Sequence, residues 1–439
     1  MYFIIRRVVF LLVVILSATT TVRGDWPQWR GPDGTGIARD TAPTEWDEDT
    51  NIAWRSEIGG LGVSSPIVIG DLVVVTSQVG FADIRSGSHP TLAQNDAADK
   101  PLGGSRQNSS GQVAFLVEAF DRQSGVREWA YSLEARGTLE SIHEKHNLAS
   151  PSPVSDGERI YAMFATGQTV ALAADGQEIW SRHLGEEYGA FQIVWGHSSS
   201  PTIYRDLLII QCDHSSASYL LALDSVTGEE RWKIDRGSGL RSYSTPVVIP
   251  GTAGDELIVN SSQRLDAYDP LTGTQLWFTG APNQFPVPVA THANGNIYTS
   301  RGHRSGPYMK IRTGGRGDIS HTHVDWHVAT GAPYVSSILY YDGLIYMANG
   351  AGVFTCIEAD SGNQVWRERL GGTYSASPVA AGDHIYFFSE TGEAIVLAAG
   401  SEPLVVARND LGNRILASPA ISDQRLFVRT DRHLVAIGN

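Results

Sequence analysis

The side chains able to do chemistry in this 439-residue chain sit in segments that do not repeat. His143, His146 and Asn147 fall within five residues of one another. Trp195-Gly196-His197-Ser198 follows, and then Asp213-His214. Further on come Arg241-Ser242-Tyr243, Arg264, and the run Arg301, His303, Arg304. Neutral imidazoles and carboxylates are metal ligands, and guanidinium groups read carboxylates and phosphates. His146, His197 and Asp213-His214 would form a metal or ligand site if they converged. Their irregular spacing favours a plainer role, in which each histidine orders loop backbone through hydrogen bonds. His321, His323 and His327 share a two-residue alternation that would put them on one strand face, close to a turn.

Nucleophile signatures are missing. There is no Gly-x-Ser-x-Gly elbow and no Gly-x-x-x-x-Gly-Lys phosphate loop. Glu186-Glu187 reads as a solvated acidic pair, and Arg316-Gly317-Asp318 as a chance triplet in a glycine-rich turn. No residue is therefore assigned a catalytic role. His143, His146, Asn147, Trp195, His197, Asp213, His214, Arg241, Arg264, Arg301 and His303 are assigned as a ligand-binding set.

A recurring nine-residue pattern must position that set. It reads Asp, a Thr-Gly or Ser-Gly turn, and Trp four residues after the Gly. Copies are Asp121-Gly125-Trp129, Asp224-Gly228-Trp232, Asp269-Gly273-Trp277 and Asp360-Gly362-Trp366, with a shortened Asp175-Gly176-Trp180. Between copies, Ser-Pro or Thr-Pro opens a β-rich run. One unit lays out as four strands: Ser200–Tyr204, Leu207–Gln211, Tyr219–Leu223 and Glu229–Ile234. Four short strands in roughly 45 residues is the period of a propeller blade. The opening marks count eight blades: Ser65-Pro66, Ser150-Pro151, Ser200-Pro201, Thr245-Pro246, Val287-Pro288, Ser336-Ser337, Ser377-Pro378 and Ser418-Pro419. The chain has three strands after the last mark, so the fourth is expected from Ile52-Ala53-Trp54-Arg55. The fold class is all-β, an eight-bladed propeller closed by strands from both ends, occupying residues 51–439. An insertion is expected at about 78–112. Trp54, Trp129, Trp180, Trp232, Trp277, Trp326 and Trp366 are expected to pack between blades. Blade connectivity puts the His/Arg loops on one face and the acidic turns on the other.

Composition sets further bounds. Hydrophobic residues are 42% and charged residues 18%, which excludes a disordered chain. Arg6-Arg7 followed by the apolar run Val8–Leu16 reads as an export signal over residues 1–24, too short to span a bilayer. Removing it would take three arginines and no acid, moving the net charge from −14 to −17. Such a charge argues against nucleic-acid partners. The mature chain, opening with a lead-in at 25–50, is expected in the periplasm or outside the cell, without a transmembrane segment. Cys212 and Cys356 are expected as two separate buried thiols.

The joined motifs, Asp-x-x-Thr-Gly-x-x-x-Trp with Ser-Pro, resemble the pyrroloquinoline-quinone-type propeller repeat over nearly all of residues 50–439. The lead-in Asp25-Trp26-Pro27-Gln28-Trp29-Arg30-Gly31-Pro32-Asp33-Gly34-Thr35-Gly36 is similar to that of exported bacterial propellers of this type. The family contains quinone-dependent dehydrogenases and non-catalytic scaffolds. The dehydrogenases hold quinone with adjacent cysteines and Ca²⁺ with Glu, Asn and Asp, and no adjacent Cys pair occurs here. The resemblance therefore implies the scaffold branch, typified by the outer-membrane assembly factor BamB, although its lipid-attachment Cys is lacking. The expected function is binding, with envelope proteins or a small, anionic or sugar ligand as partner and no cofactor. The alternatives are a quinone-dependent oxidoreductase using pyrroloquinoline quinone and calcium, or a hydrolase or lyase built on the His/Arg face.

Overall fold

Alternation of apolar and polar residues in short runs, punctuated by Gly turns, folds each repeat into an antiparallel sheet. The computed structural model describes residues 24–80 and 112–438. These hold eight sheets, one per blade. In blade three the strands are Thr202–Tyr204, Leu207–Asp213, Ser218–Asp224 and Glu230–Gly237. Every residue of Leu207–Asp213 is buried, whereas Glu230–Gly237 alternates between exposed and half-buried. The second strand is thus covered on both faces by neighbouring blades, and the fourth lies at the rim. The rim strand Ile52–Glu57 pairs antiparallel with His433–Ile437 and completes blade eight with Ala420–Ser422 and Arg425–Arg429. The expected closure is therefore present. Most of the 78–112 segment lies outside the described residues, as do residues 1–23 of the export signal expected over 1–24. Gln78 and Val79 belong to the strand Leu72–Val79 and pair with Phe115 and Ala114. No helix among the described residues is long and apolar enough to cross a membrane.

The recurring Trp and Gly form one device. The indole of Trp180 in blade two donates to Ser225 O of blade three at 3.0 Å, and its ring lies on Gly228. A Cβ at Gly228 would stand 2.7 Å from that ring, and its φ of +74° also favours glycine. Trp129 lies on Gly176 and Trp326 on Gly362 in the same way, each indole donating to the next blade's turn. Trp54 closes the ring by donating to Arg122 O beside Gly125. Asp121, Asp175, Asp224 and Asp269 accept backbone N–H groups of their turns, Asp224 Oδ1 taking those of Val226 and Thr227, whereas Asp360 pairs with Lys310 Nζ and Glu358 opens its turn. Trp277 departs from the rule. It is fully buried and donates to Glu256 Oε2 of its own blade, and Glu256 Oε1 accepts Gly314 N–H. The blade-five turn is replaced by a longer excursion whose Gly317–Asp318 pairs parallel to Trp277–Phe278. The fourth strand of blade seven, Val405–Asp410, has no Trp. Trp46 from the lead-in joins the core there, stacked on Phe388 and Tyr386.

The opening marks form a second device, a ring of hydroxyls around the axis. Ser65 N–H donates to Ser152 Oγ (2.9 Å), Ser152 N–H to Ser200 Oγ (2.8 Å), and Ser200 N–H to Thr245 Oγ1 (3.0 Å). The series resumes with Val289 N–H to Ser337 Oγ (3.0 Å), Ser337 to Ser377 (2.9 Å), Ser377 to Ser418 (2.9 Å) and Ser418 to Ser65 (3.0 Å). Two marks read from the sequence are thereby corrected by two residues. Blade two uses Ser152-Pro153, because its first strand begins at Val154, and blade five uses Val289, because its first strand begins at Thr291. Val289 has no hydroxyl, so the ring is open at that point.

Candidate functional site

The ring lies at the base of a funnel of about 200 Å³ on the axis. Segments entering the first strands build its wall, together with the loop residues His143, Lys145, His146 and Trp195. One side carries Ser65, Ser152, Ser200, Thr245 and Ser418. The other carries Phe285, Val287, Tyr334 and Val335. Trp195 stands over it with φ of +81°, a strained backbone for a bulky residue. Its ring meets His143 edge-on at 5.5 Å.

The lead-in crosses the opposite mouth. Trp26 bridges Val68 of blade one, Pro27 O accepts Ser155 N–H of blade two, and Ile37 bridges Ala380 of blade seven. Between these anchors Trp29 donates its indole N–H to Ser418 Oγ at 3.2 Å and lines the funnel. Arg30 is buried beside it and donates to Pro378 O (2.5 Å) and Thr35 O (3.0 Å). Burial without a carboxylate partner pushes its guanidinium down to about 9. Gly36 lies against that guanidinium, where a Cβ would stand 2.3 Å away. The motif Trp-Pro-Gln-Trp-Arg-Gly thus closes the channel, and the funnel ends blind.

The sequence-selected residues divide into two groups. His143, His146 and Trp195 line the funnel, and His303 stands behind its wall, against Phe285 (5.0 Å) and Tyr334 (5.4 Å). The others do not line it. Asn147 is fully buried, donating to Leu61 O and accepting Ala149 N–H. His197 and His214 touch each other at 3.3 Å beside Phe191. Asp213 belongs to a buried network, with Arg236 at 2.9 Å and Arg236 to Asp266 at 3.6 Å. Arg264 joins it through Asp266 at 2.8 Å. Arg301 is buried on Asn260 Oδ1, Ser261 O and Ala281 O. The Arg241 N–H donates to Ser262 Oγ at 3.0 Å. Among the described residues no three His, Cys, Asp or Glu side chains gather to hold a metal ion. His321 and His327 are exposed, and His323 is hydrogen-bonded to Thr322 Oγ1. Cys212 and Cys356 are separate buried thiols.

The titratable groups at the funnel are already engaged. Lys145 Nζ pairs with Glu390 Oε2 at 2.7 Å, both buried, and Ser375 Oγ donates to Glu390 Oε1 at 2.5 Å. His146 Nδ1 is hydrogen-bonded to Ser150 Oγ, which donates its own proton to Asn147 O at 2.8 Å. The Ser150 proton thus has a carbonyl acceptor besides the imidazole. Burial pushes His146 down to about 4 and His197 to about 3, and His214 well below its usual range. Reasoning from chemical residue types overlooked Trp29, Lys145, Glu390, Phe285, Tyr334 and the hydroxyl ring. The readable signal was the Ser or Thr two residues before each first strand.

Comparison with known proteins agrees with this architecture. No functionally curated protein matches the sequence. BamB from Moraxella catarrhalis superposes with a TM-score of 0.57 at 13% identity, over 88% of this chain and 97% of that one. A europium-containing methanol dehydrogenase gives 0.64 at 14%, over 94% and 89%. The quinohemoprotein alcohol dehydrogenase from Comamonas testosteroni gives 0.61 at 12%, over 95% and 81%. At such identities these likenesses establish the fold. The model of one family, described as outer membrane protein assembly factor BamB, matches residues 114–285 and 322–401, more than half of the sequence. The chain therefore belongs to the BamB family of pyrroloquinoline-quinone-type β-propellers.

Proposed function

We propose that this protein is an exported, non-catalytic binding propeller of the cell envelope, and that its loop face, centred on the blind funnel, is the binding surface. One observation carries the reading. Among the described residues each acid or base lining the funnel has an internal partner, Glu390 for Lys145, Ser150 for His146 and the Lys145 backbone N–H for His143, while the cavity itself is shaped and lined. Such a site holds a ligand rather than moving protons. Family membership points the same way, because the family carries the name of an assembly factor. The His/Arg set enters as support: Arg301 and the Asp213–Arg236–Asp266–Arg264 network fix the loops that form the wall.

The test is affinity capture from envelope extract on immobilised protein, comparing wild type with Trp195→Ala. Partners retained by the wild type and lost by the variant are expected. Equal capture by both would overturn the funnel face as the binding surface. A parallel assay adds pyrroloquinoline quinone with Ca²⁺ and follows dye-linked oxidation of alcohols and aldoses. Turnover that disappears in Trp195→Ala would replace the scaffold by an oxidoreductase.

A further inference from the structure

Resting on the funnel as the binding surface, we propose that it recognises the terminal ring of an uncharged carbohydrate, taken end-on. The hydroxyls are the first reason. Ser65, Ser152, Ser200 and Thr245 each accept a backbone N–H from the preceding blade, and among the described residues none donates to a protein acceptor. Ser65, Ser152 and Ser200 are each at least nine-tenths buried and line the cavity. Their O–H groups face the cavity, where the oxygens of a polyhydroxylated ligand can accept them in place of solvent.

The opposite wall is the second reason. Val289 interrupts the hydroxyl series, and around that interruption stand Phe285, Val287, Tyr334 and Val335. Hydroxyls edge one half of the cavity, with Val63, Leu416 and Ala417 among them, and the other half is aromatic or aliphatic. A pyranose has the same two-sidedness, with oxygens around its edge and C–H groups on its face. A hydrocarbon ring would leave the hydroxyl donors unsatisfied. Among the described lining residues an anion would find the ammonium of Lys145 already held by Glu390.

Size and closure supply the rest. A volume of about 200 Å³ lies below the roughly 300–1,000 Å³ of sites for drug-sized ligands, so one ring is the natural occupant. Trp29, Arg30 and their anchors block the far mouth. A chain cannot thread through and must present an end.

The experiment titrates the full protein with methyl glycosides of glucose, galactose and N-acetylglucosamine, following tryptophan fluorescence and ligand saturation-transfer NMR. Saturable binding of at least one glycoside below about 50 mM is expected. Ser200→Ala and Phe285→Ala should each weaken it about tenfold. Thermal melting distinguishes loss of binding from loss of fold, and Tyr334→Phe, which keeps the ring, should retain binding. A linear oligosaccharide of the same sugar should compete, and a cyclodextrin, having no end, should not. No saturation by any glycoside overturns the proposal, and competition by the cyclodextrin overturns end-on recognition. If sugars fail while Trp195→Ala still abolishes envelope capture, the carbohydrate falls and the binding surface stands.

Discussion

A single hydroxyl in the axial ring does the work of a joint. Ser377 Oγ receives Ser337 N–H, and both residues are buried. Ser377→Ala leaves that N–H without a partner, at a cost of roughly 1–3 kcal/mol, which a chemical denaturation midpoint would register. Val289 allows the converse trial. Val289→Thr keeps the shape and offers Thr245 N–H an acceptor. It should raise stability by up to about 1 kcal/mol, and a fall of similar size would show that the gap is tuned for apolar contact instead. The chemically suggestive residues were easy to read in the sequence but hard to place. His197 and His214 look like ligands on paper, yet their environment is Phe191 and each other. Sequence shows a residue's type. Burial is set by which blade it faces, and that depends on contacts distant in the chain.

Among elements, the contact that matters is a fourth-strand indole laid on the following blade's turn glycine. Gly228→Ala introduces both a positive-φ strain of about 1–2 kcal/mol and a Cβ placed 2.7 Å from the Trp180 ring. Trp180→Ala removes a buried indole, at a cost of about 3–5 kcal/mol. The two changes should not add, because the second removes the clash made by the first. A double-mutant cycle with coupling of at least about 0.5 kcal/mol is expected, and strict additivity would refute the stacking account. This element-level organisation was legible: the blade count, the closing strand Ile52–Glu57 and the inter-blade place of Trp326 all follow from the repeat. Two marks slipped by two residues for an identifiable reason. Ser150-Pro151-Ser152-Pro153 offers two equivalent readings, and only pairing of Val154 with Tyr161 chooses between them. Trp277 could not be distinguished from its siblings, because its partner Glu256 lies outside the motif.

For the molecule as a whole, the buried imidazoles couple stability to acidity. A histidine in an unfolded chain titrates near 6.5, whereas His146 is pushed down to about 4 and His197 to about 3. Folded values below the unfolded one mean that their contribution is complete above about pH 6.5 and is lost as pH falls from there. Denaturation midpoints should be flat from about pH 7 to 8 and decline below about pH 6.5. His146 alone should account for about 3 kcal/mol by pH 4. His146→Gln should make the acid limb shallower, and an unchanged limb would show that this imidazole is not held neutral. Deleting residues 25–38 addresses the axial closure. Blades should persist by circular dichroism while Trp29 fluorescence is lost and the channel becomes open to a probe from the turn face. Here the sequence showed a lead-in but not its destination, because Trp29 and Arg30 find partners, Ser418 and Pro378, at the far end of the chain.

The junction between blades four and five has a consequence for assembly. A ring of near-identical units can close with the wrong number of members or with one unit out of turn, since every joint accepts every neighbour. Here the joint between blades four and five departs from the others in several ways at once. Its hydroxyl link is absent, its indole looks inward to Glu256, and Gly317–Asp318 crosses over to pair with Trp277–Phe278. Only one pair of blades can make that joint, so it acts as a key for counting. The irregularity that weakens the repeat thus marks one pair of neighbours among eight similar parts.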